Sequence, residues 1–147
     1  MSAEENKALT RRSWEIVTET NLDTFEDALK EVYADTFVMH EPDEDVHGIE
    51  GLTQFVSTIR SAVPDLRITL EDEMAEGNKV VSRWRAQGTH QGELMGIAPT
   101  GNEVAITGLT IHRIEEGKIV EEWENWDALG LMQQIGAVPS PEEQAQA

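Results

Sequence analysis

Residues 117–136, with the sequence GKIVEEWENWDALGLMQQIG, decide the fold of this chain. They follow a turn made by Glu115, Glu116 and Gly117 and open with a strand at 118–126, in which acids and tryptophans lie close together. A short amphipathic segment comes next and ends at a glycine. Tryptophans alternating with acids are typical of a strand that lines an apolar cavity and places a carboxylate inside it, where the carboxylate transfers protons near neutral pH. The segment therefore predicts a small-molecule pocket.

The length of 147 residues is that of a single domain with a sizeable core. We expect this domain to span residues 1–138 and the tail PSPEEQAQA, residues 139–147, to be disordered. The chain has no apolar run of the roughly 20 residues that a membrane helix needs, and the start MSAEENKALTRR lacks the apolar stretch of a secretory signal. We therefore expect a cytoplasmic protein. The lack of cysteine excludes disulfides, thiol catalysis and thiolate metal sites.

The net charge of the chain limits the classes of partner that it is expected to bind. Eleven basic residues against 29 acidic ones give a formal net charge of −18. Binding to nucleic acid or to an anionic membrane surface needs a basic patch, so we expect neither partner. An acidic surface poor in lysine suits a salty cytoplasm, where screening makes high charge tolerable, and it also occurs in merely acidic proteins of ordinary cells. Both explanations stay open.

The pattern of apolar residues predicts helices first and strands second. The helical period gives helices at 3–20, 24–33 and 52–63, with a short strand at 37–41 and an acidic loop at 42–51 between the last two. The period then changes to two, and strands are predicted at 67–76, 79–91, 103–114 and 118–126, followed by a short helix at 129–135. This order gives an α+β domain in which a curved antiparallel sheet wraps over the helices as a cone. The open end of such a cone is a natural ligand site.

Alternation along the strands sorts residues into faces. Trp84 and His90 share a face that is otherwise apolar, so we expect His90 to point inward, although a hydrogen-bonded core histidine is the plainer alternative. On the next strand Gly108 leaves space in the cavity beside Thr110. His112 lies nearer the hairpin end, where a structural or partly exposed position is expected.

The last strand has no cleanly apolar face, so alternation alone does not assign its carboxylates. Glu124 lies between two tryptophans and is the preferred buried acid, whereas Glu121 and Glu122 are expected to be solvated. Burial raises the pKa of a glutamate, by up to about 3–5 units, which is enough for proton transfer near neutral pH. The alternative is a structural hydrogen bond or an ion pair, for example to Arg113.

We expect no metal and no cofactor. Candidate metal ligands are found at the end of the strand at 37–41 and in the acidic loop, but their spacing resembles no standard zinc or calcium site; they are His40, Glu41, Asp43, Asp45 and His47. The chain also lacks a Gly-x-Ser-x-Gly elbow, a phosphate-binding loop and a dinucleotide-binding glycine pattern.

Four stretches of the chain carry a family resemblance. They are FVMHEP at 37–42, GIEGL at 48–52, VVSRWRAQGTHQGELMGIAPTGNEV at 80–104 and IHRIEEGKIVEEWENWDALGLMQQIG at 111–136. Their order resembles the SnoaL-like polyketide cyclase, or ester cyclase, group of the nuclear transport factor 2-like superfamily. The resemblance implies an α+β cone with a deep pocket, and a homodimer or higher oligomer with the sheets packed together.

The resemblance also implies a chemistry. Characterised cyclases of this group close a polyketide ring by intramolecular aldol condensation without metal or cofactor, with an acidic residue as acid/base. Glu124 falls on the position of their catalytic aspartate, and His90 falls on a pocket histidine. Thr110 and Gly108 occupy the positions expected to hold the cyclases' His and Gln, and Met39 stands where an Asn is expected. The enolate-holding set is thus largely missing, which argues against an anthracycline-type substrate.

The superfamily also hosts ketosteroid isomerases, dehydratases and epoxide hydrolases, so the fold does not fix the reaction. Our leading hypothesis is a cofactor-independent enzyme that acts on a hydrophobic, carbonyl-bearing small molecule, with Glu124 as acid/base and His90 assisting. The pocket would be shaped by Met39, Trp84, Met95, Gly108, Thr110 and Trp126. The alternatives are a non-catalytic ligand-binding module and an oligomeric scaffold whose pocket is filled by its own side chains.

Overall fold

The computed structural model describes residues 1–146, without the side chains of residues 144 and 146. Three helices and two short strands come first, then four long strands and two short helices. In chain order they are α1 (Ala3–Glu19), α2 (Phe25–Val32), β1 (Tyr33–His40), β2 (Asp45–His47), α3 (Gly48–Ala62), β3 (Arg67–Glu76), β4 (Lys79–Thr89), β5 (Glu103–Glu115), β6 (Lys118–Trp126), α4 (Ala128–Gln134) and α5 (Pro141–Gln146). The predicted α+β class is confirmed.

The helices form where a capping residue at the N-terminus is followed by apolar residues at helical spacing. The α1 helix begins with a capping box, in which Ser2 Oγ accepts from the Glu5 amide and the Glu5 carboxylate accepts from the Ser2 amide. In α2 the buried residues Phe25, Leu29 and Val32 recur at helical spacing. These faces pack against the inner face of the sheet and form the main hydrophobic core.

All six strands form one curved sheet in the order β2-β1-β6-β5-β4-β3. The pairs are antiparallel except for β1 and β6, which run parallel. The expected antiparallel sheet is therefore mixed. The reason is that β1 is separated in sequence from the meander and is inserted beside its last strand, where no hairpin fixes the direction.

Some helix and strand boundaries differ from the prediction, in segments where the spacing of apolar residues fitted both a helix and a strand. The helix predicted to include Tyr33 ends at Val32, and the strand predicted from Phe37 begins at Tyr33, because Tyr33 pairs with Ile119 of β6. The loop predicted at 42–51 contains the short strand β2, and α3 begins at Gly48, which has a φ of 71°.

The tail expected to be disordered from residue 139 carries α5 in the structure. Its start has a capping box, since Ser140 Oγ accepts from the Glu143 amide and Pro141 occupies the first helical position. Residue 147 lies outside the described part of the chain. Within residues 1–146 every helix is too short or too polar to serve as a transmembrane span.

Candidate active site

A cavity of about 640 Å³ lies between the inner face of the sheet and the helices. Trp14 of α1 and Phe55 of α3 form part of one wall, and strands β1, β4, β5 and β6 form the other. Exposed residues of the segment before β2, such as Asp43 and Glu44, belong to its rim. Most of the lining is apolar, so the few polar groups that reach the cavity are the candidates for orienting a ligand and for reacting with it.

The register of the sheet places the polar residues of the cavity wall opposite one another on adjacent strands. Glu124 of β6 lies opposite Thr110 of β5, and Glu122 lies opposite His112. Glu122 also pairs with Met39 of β1 across the parallel ladder. Since Glu122 and Glu124 are two residues apart, both point to the cavity, which settles the face assignment that alternation left open.

Glu124 is held at the cavity wall by a short hydrogen-bond chain. The Trp84 indole donates from Nε1 to Thr110 Oγ1 at 2.9 Å, and Thr110 Oγ1 donates to Glu124 Oε1 at 3.4 Å. Removal from water raises the pKa of Glu124 to about 8, and the neighbouring Glu122 adds to the rise. Proton transfer near neutral pH is therefore within the reach of this carboxyl.

Glu41 is a second carboxyl at the same wall. It follows the last residue of β1, one step beyond the pairing of His40 with Trp123, and this brings it beside Glu124. Trp126 Nε1 donates to Glu41 Oε2 at 2.9 Å. Burial, with a contribution from Glu124, raises the pKa of Glu41 to about 9, so this group is protonated at neutral pH.

Glu122 and His112 lie deeper in the wall. Burial raises the pKa of Glu122 to about 7 and lowers that of His112 to about 3. Their closest atoms, His112 Nε2 and Glu122 Oε1, are 2.9 Å apart without hydrogen-bond geometry. Because His112 is neutral, this contact is not an ion pair. The Tyr33 hydroxyl hydrogen-bonds to Glu122 and favours its ionised form.

Not all of the predicted pocket residues line the cavity. Met39, Trp84, Met95 and Trp126 line the cavity. Thr110 is fully buried behind it, where it holds Glu124.

Gly108 lies outside the main lining, in a small depression beside Trp84 and Trp126. A Cβ on Gly108 would lie 2.7 Å from Cε2 of Trp84 and closer still to Cζ2. The missing side chain thus gives room to the Trp84 indole and not to a ligand.

His90 is not among the residues that line the cavity. Its imidazole is fully buried, and Nδ1 hydrogen-bonds to Thr100 Oγ1 at 2.9 Å. The burial agrees with the inward direction predicted from alternation, since Val80, Ser82, Trp84 and Ala86 on the same face of β4 are also buried. The plainer alternative, a hydrogen-bonded core histidine, describes this geometry.

One expectation on this wall was wrong, since Glu122, expected to be solvated, is 4% exposed. For His112 a structural or partly exposed position was expected; it is 1% exposed, which leaves the structural position, and it lines the cavity. Arg113, considered as a partner of Glu124, instead pairs with Glu121 and Glu115 on the outer face. Residues of α1, such as Trp14, face Glu122 and His112 across the cavity, and this long-range packing is not visible in the local pattern of β6.

Sequence reasoning also missed Glu41 and Trp14 as wall residues. Glu41 was considered only as part of a metal loop, although Phe37, Met39 and Glu41 share one face by the two-residue period. Trp14 lines the cavity, and its Nε1 is buried without a hydrogen-bond partner among the described residues. Within residues 1–146 no group of three His, Cys, Asp or Glu residues is placed to hold a metal ion. That the protein needs no cofactor stays a prediction.

Comparisons with known proteins agree on one family. The model of the SnoaL-like polyketide cyclase family matches residues 8–135. Among solved structures, one is a protein of Jannaschia sp. CCS1 that is assigned as a SnoaL-like polyketide cyclase. It is 25% identical to this chain, with a TM-score of 0.84, and the match covers 93% of this chain and 95% of the Jannaschia protein.

AclR from Streptomyces galilaeus, assigned as a hydroxylase, is 27% identical with a TM-score of 0.83, over 99% of this chain and 89% of AclR. IdmH from Streptomyces antibioticus, assigned as a polyketide cyclase, is 28% identical with a TM-score of 0.75, over 89% of this chain and 98% of IdmH. No protein of curated function matches the chain. The matched family model spans nearly the whole domain, and the fold agrees with that of the solved relatives. The chain therefore belongs to the SnoaL-like polyketide cyclase family.

Proposed function

We propose that the protein is a cofactor-independent enzyme that moves a proton at the carbon next to the carbonyl of a hydrophobic small molecule. The reaction is of the aldol cyclase, isomerase or lyase type. Membership of the family supports a cyclase or isomerase role in general. The observation that carries the finer proposal is Glu124, a carboxyl in an apolar wall whose pKa is raised to about 8.

In this mechanism Glu124 is the acid/base. Its ionised form removes the α-proton and its protonated form returns the proton to carbon or to a leaving oxygen. Thr110, oriented by Trp84, holds the carboxyl in place. A pKa close to the operating pH makes both forms accessible, which is the condition for efficient acid/base catalysis.

An enolate oxygen needs hydrogen-bond donors, and two residues of the cavity lining would supply them. Glu41 is protonated at neutral pH and hydrogen-bonds to Glu124, and on substrate binding it would donate to the enolate oxygen instead. Trp14 Nε1 is the second donor, and it is free among the lining residues that the structure describes. These donors would take the place of the missing His, Gln and Asn of the cyclases. His90, buried against Thr100, would support the neighbouring loop instead of taking part in the chemistry.

A direct test follows α-proton exchange, which does not require the natural substrate. Bicyclic ketones such as 2-tetralone and 1-indanone are incubated with the protein in D2O, and loss of the α-proton signal is followed by NMR. We expect the protein to accelerate exchange and Glu124→Gln to reduce that acceleration by a factor of about 10²–10⁴. Glu103→Gln, which changes an exposed carboxylate on β5, serves as the matched control and should keep the full rate.

Ligand-observed NMR on the same samples measures binding separately. Binding without exchange above the buffer rate would contradict the enzyme proposal and support a non-catalytic binding module. Exchange that survives in Glu124→Gln would assign the base to another residue. A homodimer and a cytoplasmic location remain predictions, and light scattering after gel filtration tests the first of them.

A further inference from the structure

The charge of the cavity lining is one-sided. Among the lining residues that the structure describes, none is lysine or arginine. Six are acidic, three at the exposed rim and three at the inner wall. They are Asp43, Glu44, Asp45, Glu41, Glu122 and Glu124. Such a lining attracts a cation and repels an anion, because the apolar walls weaken the screening by water.

The inner carboxyls lack a counter-charge from the protein. Glu122 is 4% exposed, and its Oε1 atom has no hydrogen-bond partner within the described residues, although His112 Nε2 lies 2.9 Å away. His112 is neutral because burial lowers its pKa to about 3. The carboxyls hydrogen-bond to one another, Glu41 to Glu124 and Glu124 to Glu122, so they share protons instead of a basic partner. The remaining polar groups around them are uncharged donors of Tyr33, Thr110 and Trp126.

The cavity lining is also rich in aromatic rings. Trp14, Trp84, Trp126 and Tyr33 all line the cavity. The faces of such rings attract cations, and a quaternary or protonated amine enclosed by aromatic residues and carboxylates is a well-known arrangement in proteins. The aromatic walls also bury the apolar body of a ligand.

We propose that this cavity binds a hydrophobic ligand carrying an ammonium group, which lies against Glu122 and Glu124 while the aromatic walls enclose the apolar body. The proposal rests on the proposed function, since it names the substrate class of the same site as an amine-bearing carbonyl compound. A cation there stabilises the ionised form of the neighbouring carboxyls. Binding therefore releases protons and converts Glu124 to the base form that the reaction needs.

The test compares three probes with one naphthalene body. They are 1-naphthylmethyl-trimethylammonium, 1-naphthylmethanol and 1-naphthylacetate, and their affinities for the whole protein are measured by calorimetry at pH 7 and 0.15 M salt. We expect the cation to bind about tenfold tighter than the alcohol and the anion to bind about tenfold weaker. Calorimetry in buffers of different ionisation enthalpy should show proton release with the cation and none with the alcohol.

Variants separate the cavity from the general negative charge of the protein. Glu122→Gln and Glu124→Gln should each reduce the preference for the cation at least threefold and reduce proton release, whereas Glu103→Gln should change neither. Equal affinity for cation and alcohol, or a preference that both cavity variants retain, would overturn the proposal. The α-proton exchange of neutral ketones does not depend on this result, so the proposed function and the ligand charge can fail separately.

Discussion

Replacing Glu124 by glutamine should change how the stability of the protein depends on pH. In the folded state the pKa of Glu124 is raised from 4.5 to about 8, so the folded state holds this proton more tightly than the unfolded chain does. The stability that Glu124 contributes is present below pH 4.5 and is lost as the pH rises toward 8. Glutamine cannot ionise, so the variant avoids this loss.

The size of the effect follows from the shift. At about 1.4 kcal/mol for each pKa unit, the rise from 4.5 to about 8 corresponds to at most about 5 kcal/mol. Glu124 as a residue is only partly buried because it faces the cavity, and water there screens its charge. We therefore expect the free energy of unfolding of Glu124→Gln, relative to the unchanged protein, to increase by about 2 kcal/mol between pH 5 and pH 9.

The assay is urea unfolding followed by tryptophan fluorescence at pH 5, 7 and 9. The contribution of His112 occurs in both proteins and cancels in the difference to first order. Glu41 and Glu122 interact with Glu124, so the measured difference includes the change in their ionisation. Glu103→Gln removes one charge from the surface and controls for the net charge of −18. If the difference between Glu124→Gln and the unchanged protein stays constant from pH 5 to pH 9, Glu124 is solvated or paired, and the reasoning from burial is refuted.

Three further predictions concern its neighbours. Gly108→Ala should destabilise the protein by about 2 kcal/mol and shift the tryptophan emission, because the new Cβ would overlap the Trp84 indole; an unchanged urea midpoint would contradict that contact. Thr110→Val should raise the pKa of Glu124 further, since the hydroxyl favours the ionised carboxylate, and carboxyl-resolved NMR with Glu124→Gln for assignment measures it. His112→Gln should lessen the loss of stability on acidification between pH 6.5 and 3, because the lowered pKa of His112 contributes stability that is present above pH 6.5. Urea unfolding at pH 7 and pH 4 tests this, and an equal loss in both proteins would show that His112 is not buried as a neutral group.

Much of the fold follows from local patterns. The turn at Gly77 and the turn at Gly117 both have positive φ, and the strands on either side of each turn pair as the alternation predicts. The family was recognisable from the sequence, because strand and turn residues repeat the pattern of its members, and the family match over residues 8–135 confirms it. Glu124, singled out because it stands between two tryptophans, is among the residues that line the cavity, and its role as acid/base stays a prediction.

The errors come from contacts that local patterns do not contain. Alternation gave the buried side for His90, but it does not tell whether a buried residue lines the cavity, and His90 does not. Propensity did not separate the end of α2 from the start of β1, because Tyr33 suits both states. The burial of Glu122 and His112 depends on what covers their strands, which is a property of the whole fold.

The sequence by itself determined the order of the long helices and strands, the two hairpins and the buried face of β4, because these depend on neighbours within a few positions. Only the tertiary structure decided the pairing of β1 with β6, which runs parallel and joins segments that no hairpin connects. That pairing brings Glu41 beside Glu124 and Met39 beside Glu122. The pKa of a carboxyl depends on its distance from water and from other charges, so the chemistry of this wall exists only after the long-range contact has formed.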